Sequence, residues 1–344
     1  MPLINTALTL KDLPPPPPGK TGWPWTEQTE PLPERMPDGS EWPRISIVTP
    51  SYNQGQFIEE TIRSVLLQGY PNVEYIIIDG GSTDNSVEVI KKYDQYLAYW
   101  VSESDLGQSH AINKGFEKST GDYIAWMNSD DCYMPNALHR TFNKYKLEQL
   151  DFIYGCTYIG KSINDCTLIK GIGTKRFKLK YLLRFFYNVE YIIPSQSVFV
   201  SEKVFKKVGF LDEKLHYCMD LDWFARIALE HPLTYRNPEP ICFYRVHSCT
   251  KTCDYKAMKA EAIKIAHVYS VHLSIWEQKR LARLILYANI FDEYSSGVRN
   301  KCLNELIKTM ILVPVESLSD TRFLGILKRV ILKGLSFRNT CSKC

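Results

Sequence analysis

Between Arg44 and Met127 short apolar runs alternate with segments of helical spacing, and this alternation restricts the fold more than any other feature of the 344-residue chain. Ile45 to Thr49 reads as a buried strand, followed by Phe57, Ile58, Thr61, Ile62, Val65 and Leu66 at helical spacing. Val73 to Ile78 is a second strand, Ser86 to Tyr93 a second helix, Tyr99 to Ser102 a third strand. Gly107 to Lys118 is a third helix and Tyr123 to Met127 a fourth strand. Strands and helices that take turns with short links form an α/β layer structure, with a mostly parallel sheet flanked by helices.

The rest of the chain is less regular. Phe152 to Tyr158, Ser197 to Val200 and Cys242 to Val246 read as strands, and Asp222 to Glu230 as an amphipathic helix. From about residue 254 the pattern is helical through Tyr294. Residues 1–43 form a Pro/Trp-rich extension, with prolines 14 to 18 consecutive and Trp23, Trp25 and Trp42 nearby. Proline supplies no amide donor, so this segment is irregular or polyproline; its tryptophans imply packing on the domain, with a proline-recognition ligand as the alternative. The expected organisation is this extension, a catalytic domain over 44–254, and a helical C-terminal region over 255–344.

The tail from Thr321 carries Arg322, Lys328, Arg329, Lys333, Arg338 and Lys343 without an acid, and Phe323, Ile326, Leu327, Val330 and Ile331 share one helical face. Two readings stay open: an interfacial helix touching anionic lipid, or a helix packed on the domain with a solvated basic face. A net charge of +4 makes no case for nucleic acid. Without a basic start and apolar run at the N-terminus, the ten cysteines read as reduced thiols of a cytoplasmic protein. The close pairs Cys249/Cys253 and Cys341/Cys344 would allow a zinc site only in an irregular spacing that argues against it.

Chemistry concentrates where the apolar runs stop. The fourth strand ends in Asn128-Ser129-Asp130-Asp131, and adjacent carboxylates at the end of a buried strand resist desolvation and repel each other. A hard divalent cation relieves both costs; a helix cap before Pro135 is the plainer reading. Two more polar loops follow the first and second strands, Pro50-Ser51-Tyr52-Asn53-Gln54-Gly55 and Asp79-Gly80-Gly81-Ser82-Thr83-Asp84. In a parallel sheet all three share one edge and converge on one crevice. Tyr52 offers a face for a base, Asp79 an acceptor for base or ribose, and Asp131 a metal anchor. Neither a G-x-G-x-x-G nor a G-x-x-x-x-G-K-[ST] is present, which speaks against dehydrogenase and P-loop chemistry.

The segments ISIVTPSYNQGQFIEETIRSVLLQ, YIIIDGGSTDNS, DLGQSHAINKG and GDYIAWMNSDD, in this order, resemble those of family 2 inverting glycosyltransferases of the GT-A (Rossmann-like) fold, over roughly Arg44 to Lys251. The resemblance implies a metal-dependent transfer of one sugar from a nucleoside diphosphate sugar, a UDP-sugar by expectation, to a hydroxyl acceptor, with Mn²⁺ or Mg²⁺ as cofactor. It implies that Pro50 and Tyr52 border the base, that Asp79 bonds a uracil-type edge, and that Asn53 and Ser82 complete the donor site. Asp130 would reach ribose or metal, and Asp131 and His247 would hold the metal. An arginine found before the third helix in several relatives is missing, so that contact falls to His110 or Lys114 or is absent, while Lys251 would bind phosphate.

The motif around Tyr217 to Trp223 resembles the family's general-base segment. It assigns the base to Asp220, with Asp222 as alternate and as a helix cap, and an ordinary aspartate would be ionised and ready. Gln196 and Trp223 are the expected acceptor-side residues, with His216 a further candidate. Polysaccharide or glycolipid assembly on a glycan or lipid-linked acceptor fits such an enzyme, working in the cytoplasm or on the inner membrane face. The alternative is a catalytically silent nucleotide-sugar-binding protein of the same fold.

Overall fold

The computed structural model describes residues 6–142, 150–162, 165–170, 173, 177–186, 192–248, 250–251 and 254–295. The tail from Thr321 and the cysteines at 249, 253, 302, 341 and 344 lie outside them. The chain divides into two compact units, one of residues 1–182 and 190–261 and one of residues 183–189 and 262–344.

In the first unit the elements run β1 (Ile45–Ser51), α1 (Ile58–Leu66), β2 (Val73–Asp79), α2 (Ser86–Lys92), β3 (Tyr99–Ser102), α3 (Gln108–Lys118) and β4 (Tyr123–Trp126). They continue with β5 (Cys132–Tyr133), α4 (Ala137–Phe142), β6 (Phe152–Ser162), β7 (Asp165–Ile169), α5 (Leu179–Leu182), β8 (Val198–Ser201), α6 (Glu202–Val208), α7 (Met219–Leu229) and β9 (Thr234–Arg245). α8 (Tyr255–Tyr269) begins in this unit. The second unit contains α9 (Ile275–Ser295) after a 3-10 turn at Ser270–His272. Among the described residues no helix is long and apolar enough to cross a membrane.

The sheet order is β3-β2-β1-β4-β8-β6-β9-β5, with β7 on β6. β1 through β4 are parallel to one another, as the strand–helix alternation requires; every residue of β1, β2 and β4 is buried, the signature of strands covered on both faces. Beyond β4 the pairing is mixed: β8 is antiparallel to β4 and β6, and β9 is parallel to β6. β1 lies between β2 and β4, so the strand order reverses there, and the crevice above that reversal is where open α/β sheets bind ligands.

Two features of the less regular half position the site. β9 runs twelve residues, against the five read from Cys242 to Val246. Its end pairs with the two-residue β5, Cys132 opposite Phe243 and Tyr133 opposite Cys242, which carries Arg245 and His247 over the end of β4. The short β5 has no periodicity to betray it, since two residues cannot alternate.

The Pro/Trp-rich extension is bound to the sheet unit. Arg63 on α1 is fully buried and donates to the carbonyls of Pro14 (2.8 Å), Pro24 (3.0 Å) and Trp25 (3.1 Å), with its guanidinium 5.6 Å from the Trp25 ring centroid. Trp23 and Trp42 are buried, and the Trp23 indole donates to Tyr133 O at 2.8 Å. A prolyl segment cannot satisfy its carbonyls by sheet pairing, so one buried cation with five donors satisfies several at once.

Candidate active site

The loops after β1 and β2 are knitted to each other. Asp79 is fully buried and accepts from Ser51 Oγ (3.0 Å), Ser82 Oγ (2.6 Å), Ser102 Oγ (2.7 Å) and the amides of Gly81 (3.2 Å) and Ser82 (2.9 Å). Asn53, at φ 52°, donates its amide to Ser82 Oγ (2.8 Å) and accepts from the Thr83 amide (2.8 Å). Asp79, Asn53 and Ser82, expected to touch the donor, therefore spend these polar atoms on shaping the loops. Pro50 is buried within β1, while Tyr52, just beyond the end of that strand, is 62% exposed.

The two carboxylates after β4 differ sharply. Asp131 is 1% exposed and accepts from the Arg245 amide (2.8 Å), Gln196 Nε2 (2.8 Å) and Asn128 Nδ2 (3.1 Å). Burial, reinforced by the charge of Asp130, pushes its carboxyl well above the ordinary range. Asp130 keeps 20% of its side chain exposed and meets His247 Nε2 at 3.0 Å. Arg245 braces this corner, donating to Asp130 O (2.9 Å), pairing with Glu60 (2.9 Å) and lying 5.1 Å from the Phe57 ring centroid. The sequence expectation named Asp131 and His247 for the metal; in the structure His247 meets Asp130, while Asp131 accepts its three hydrogen bonds from Arg245, Gln196 and Asn128.

A carboxylate oxygen and an imidazole nitrogen 3.0 Å apart fit adjacent positions around one divalent ion. Among the described residues no cluster of three or more His, Cys, Asp or Glu could hold a metal ion.

From Asp131 a chain of hydrogen bonds leads across the site. Asn128 Oδ1 accepts from Gln108 Nε2 (2.9 Å), and Gln108 Oε1 accepts from Lys251 Nζ (3.3 Å). Burial lowers the Lys251 pKa, opposed by the carboxylates of Glu261 and Asp220. Asp220 sits in the first turn of α7, half-buried, with Oδ1 accepting from the Leu221 amide at 2.7 Å. Burial raises its pKa to about 6, against the opposing pull of that amide and of Lys251. The expectation was an ordinary aspartate; burial makes this carboxylate more basic, while leaving it mostly ionised at neutral pH.

The segment leading into α7 is held from α8. Glu261 accepts from three successive amides, His216 (2.9 Å), Tyr217 (2.6 Å) and Cys218 (2.6 Å). No short motif announces Glu261, which lies 41 residues after Asp220; only a lone acid within an apolar-rich helix hints at it. Asp222 does not cap α7, whose N-cap is Cys218; it pairs with Arg226 at 3.0 Å one turn later.

The acceptor-side expectations are corrected. Trp223 is fully buried, 5.7 Å from Phe116 and 5.5 Å from Trp126 between ring centroids, with its indole bonded to Gly209 O at 2.9 Å. It is core. Gln196 is 4% exposed and turned onto Asp131. His110 Nδ1 accepts from the Leu106 amide at 3.2 Å, and Lys114 is paired with Glu103.

Residues 46–209 match the model of the family described as Glycosyl transferase family 2. An uncharacterized glycosyltransferase of Rickettsia typhi is 30% identical over 214 residues, covering 61% of this chain and 66% of that protein. One of Haemophilus influenzae is 35% identical over 137 residues, 38% of this chain and 55% of the relative. This chain thus spans just under two thirds of the first relative's length. Among solved structures, S. aureus TarS 1-349 in complex with UDP-GlcNAc superposes with a TM-score of 0.55 at 16% identity, covering 79% of this chain and 82% of that one. At that identity the likeness is one of fold.

Proposed function

We propose, from the match of residues 46–209 to the model of Glycosyl transferase family 2, that the protein moves a single sugar from a nucleoside diphosphate sugar, a UDP-sugar first among them, to a hydroxyl acceptor with inversion at C1. The observation that carries this reading is the linkage of two centres. The Asp130–His247 pair lies beside Asp131, and Asp131 is joined through Asn128 and Gln108 to Lys251, which stands within electrostatic reach of Asp220.

In this reading Asp220 takes the acceptor hydroxyl proton as that oxygen attacks C1. The C1–O bond to the diphosphate breaks, and its electron pair leaves with the nucleoside diphosphate. A base with a pKa near 6 is better matched to this task than a fully exposed aspartate, yet ionised at neutral pH. Lys251 supplies positive charge toward the diphosphate. Asp130 and His247 would hold the divalent cation, which neutralises charge on the leaving group when bound. Asp131 and Gln196 fix the end of β4 so that Asp130 faces outward. Surface glycan or glycolipid assembly is the proposed setting, on a glycan or lipid-linked acceptor.

The test is release of UDP from a panel of UDP-sugars with Mn²⁺ and simple glycoside acceptors, with the product anomer read by NMR. Acceptor-dependent release with an inverted product, lost in Asp220→Asn, is expected. UDP release that ignores acceptor and Asp220 alike, or a retained anomer, contradicts the proposal.

A further inference from the structure

Asp79 sits where a base-reading acid is expected, yet its two oxygens accept five hydrogen bonds from the protein, and a carboxylate offers about four lone-pair sites. It has nothing left for a ligand. The neighbouring Gly80 has no side chain, and a Cβ built there would lie 2.5 Å from Asp105 Oδ2 and 3.2 Å from Oδ1. Asp105, from the loop after β3, therefore places its carboxylate where a side chain on residue 80 would otherwise stand.

The loops are pinned in that relation. Ser51, Asp79 and Ser102 are level in the sheet, so the segments bearing Tyr52, Gly80 and Asp105 leave one edge. Gly80 N donates to Ser51 O at 2.8 Å and Glu103 N to Asp79 O at 3.0 Å. Asp105 Oδ1 accepts from the Gly107 amide at 2.8 Å, and among the described residues Oδ2 has no hydrogen-bond partner. A half-buried carboxylate with one oxygen committed and one open is an acceptor waiting for a donor.

We propose that Asp105 is the residue that selects the nucleobase of the donor: Oδ2 accepts a ring N–H on the base's pairing edge while Tyr52 lies against its face. This rests on the donor reading above. A carboxylate only accepts, so it favours bases with a ring N–H on that edge, uracil or guanine, and opposes cytosine and adenine, whose corresponding ring nitrogen is itself an acceptor.

The experiment is calorimetric titration of the full chain with UDP, GDP, CDP and ADP in the presence of Mn²⁺, for the wild type, Asp105→Asn and Gly80→Ala. Asparagine keeps an acceptor for the Gly107 amide but can also donate to cytosine. Expected is a wild-type preference for UDP or GDP over CDP of about tenfold or more, the scale of one hydrogen bond, that collapses or reverses in Asp105→Asn. Gly80→Ala, whose methyl displaces the carboxylate, should narrow it as well. An unchanged UDP-to-CDP ratio in Asp105→Asn, including an equal loss of all four ligands, overturns this assignment and leaves the donor reading standing. A wild type that binds none of the four overturns both.

Discussion

In the loops after β1 and β2, Asp79, Asn53, Ser82 and Asp84 are bonded to neighbouring protein groups, and the fully buried Asp79 takes five such bonds. Around Asp130 and Asp220 the same residue types are left partly exposed or half-buried, with fewer partners and shifted proton affinities nearby. The first region spends its polarity on holding a shape; the second keeps some in reserve. A polar residue beside a crevice is thus a candidate for chemistry only when some of its hydrogen-bonding capacity remains open, since a saturated carboxylate would have to break native bonds before it could bind anything.

The contrast can be broken most forcefully at Asp220. Asp220→Asn should lower kcat by about 10²–10⁴-fold, the range for loss of a general base, while UDP affinity changes little. A parallel loss of UDP affinity would make Asp220 part of the first kind of region. Asp79→Ala should act in the opposite manner. It removes the buried acceptor of five hydrogen bonds, and its cost, about 3 kcal/mol in chemical denaturation, should far exceed that of Asp130→Ala, about 1 kcal/mol or less. Equal destabilisation by both would erase the distinction.

The pH profile sharpens it further. Asp220 must be ionised to accept a proton, so kcat/KM should fall as pH drops through about 6, and the unshifted aspartate range would instead place that limb below about pH 4. The smallest expected effect comes from Glu261→Gln. The amide keeps an acceptor for the backbone but weakens three charge-assisted bonds, so kcat should drop about tenfold with UDP affinity unchanged. A normal kcat would show that the approach to α7 holds its place without Glu261.

The first four strands were legible because each is a continuous apolar run long enough to show period and limits. β1 begins at Ile45 and β3 spans Tyr99–Ser102 as read. The mixed half resisted because its strands owe their length to partners: β9 carries Pro238 and Pro240 and extends through pairing with β6. The site was legible as a set of acids and illegible as a division of labour. Asp130 and Asp131 are adjacent and chemically identical, and only the arrival of β9 decides that one is sealed by Arg245 and Gln196 while the other faces His247. Trp223 was misplaced for a related reason, since a tryptophan next to a catalytic motif packs as readily inward as toward a sugar. Asp105 opens one of the family-like segments and Glu261 is a lone acid in its helix, but the closeness of Asp105 to Gly80 and of Glu261 to the amides of 216–218 depends on chain segments brought together only by the fold.

The central claim is that the partly open Asp130, rather than the sealed Asp131, holds cation and diphosphate. It is tested most directly by calorimetric titration of UDP with and without Mn²⁺ on the wild type and Asp130→Ala. Metal-dependent binding in the wild type that disappears in a folded Asp130→Ala is the predicted result. Metal-dependent binding of wild-type strength in that variant would contradict it.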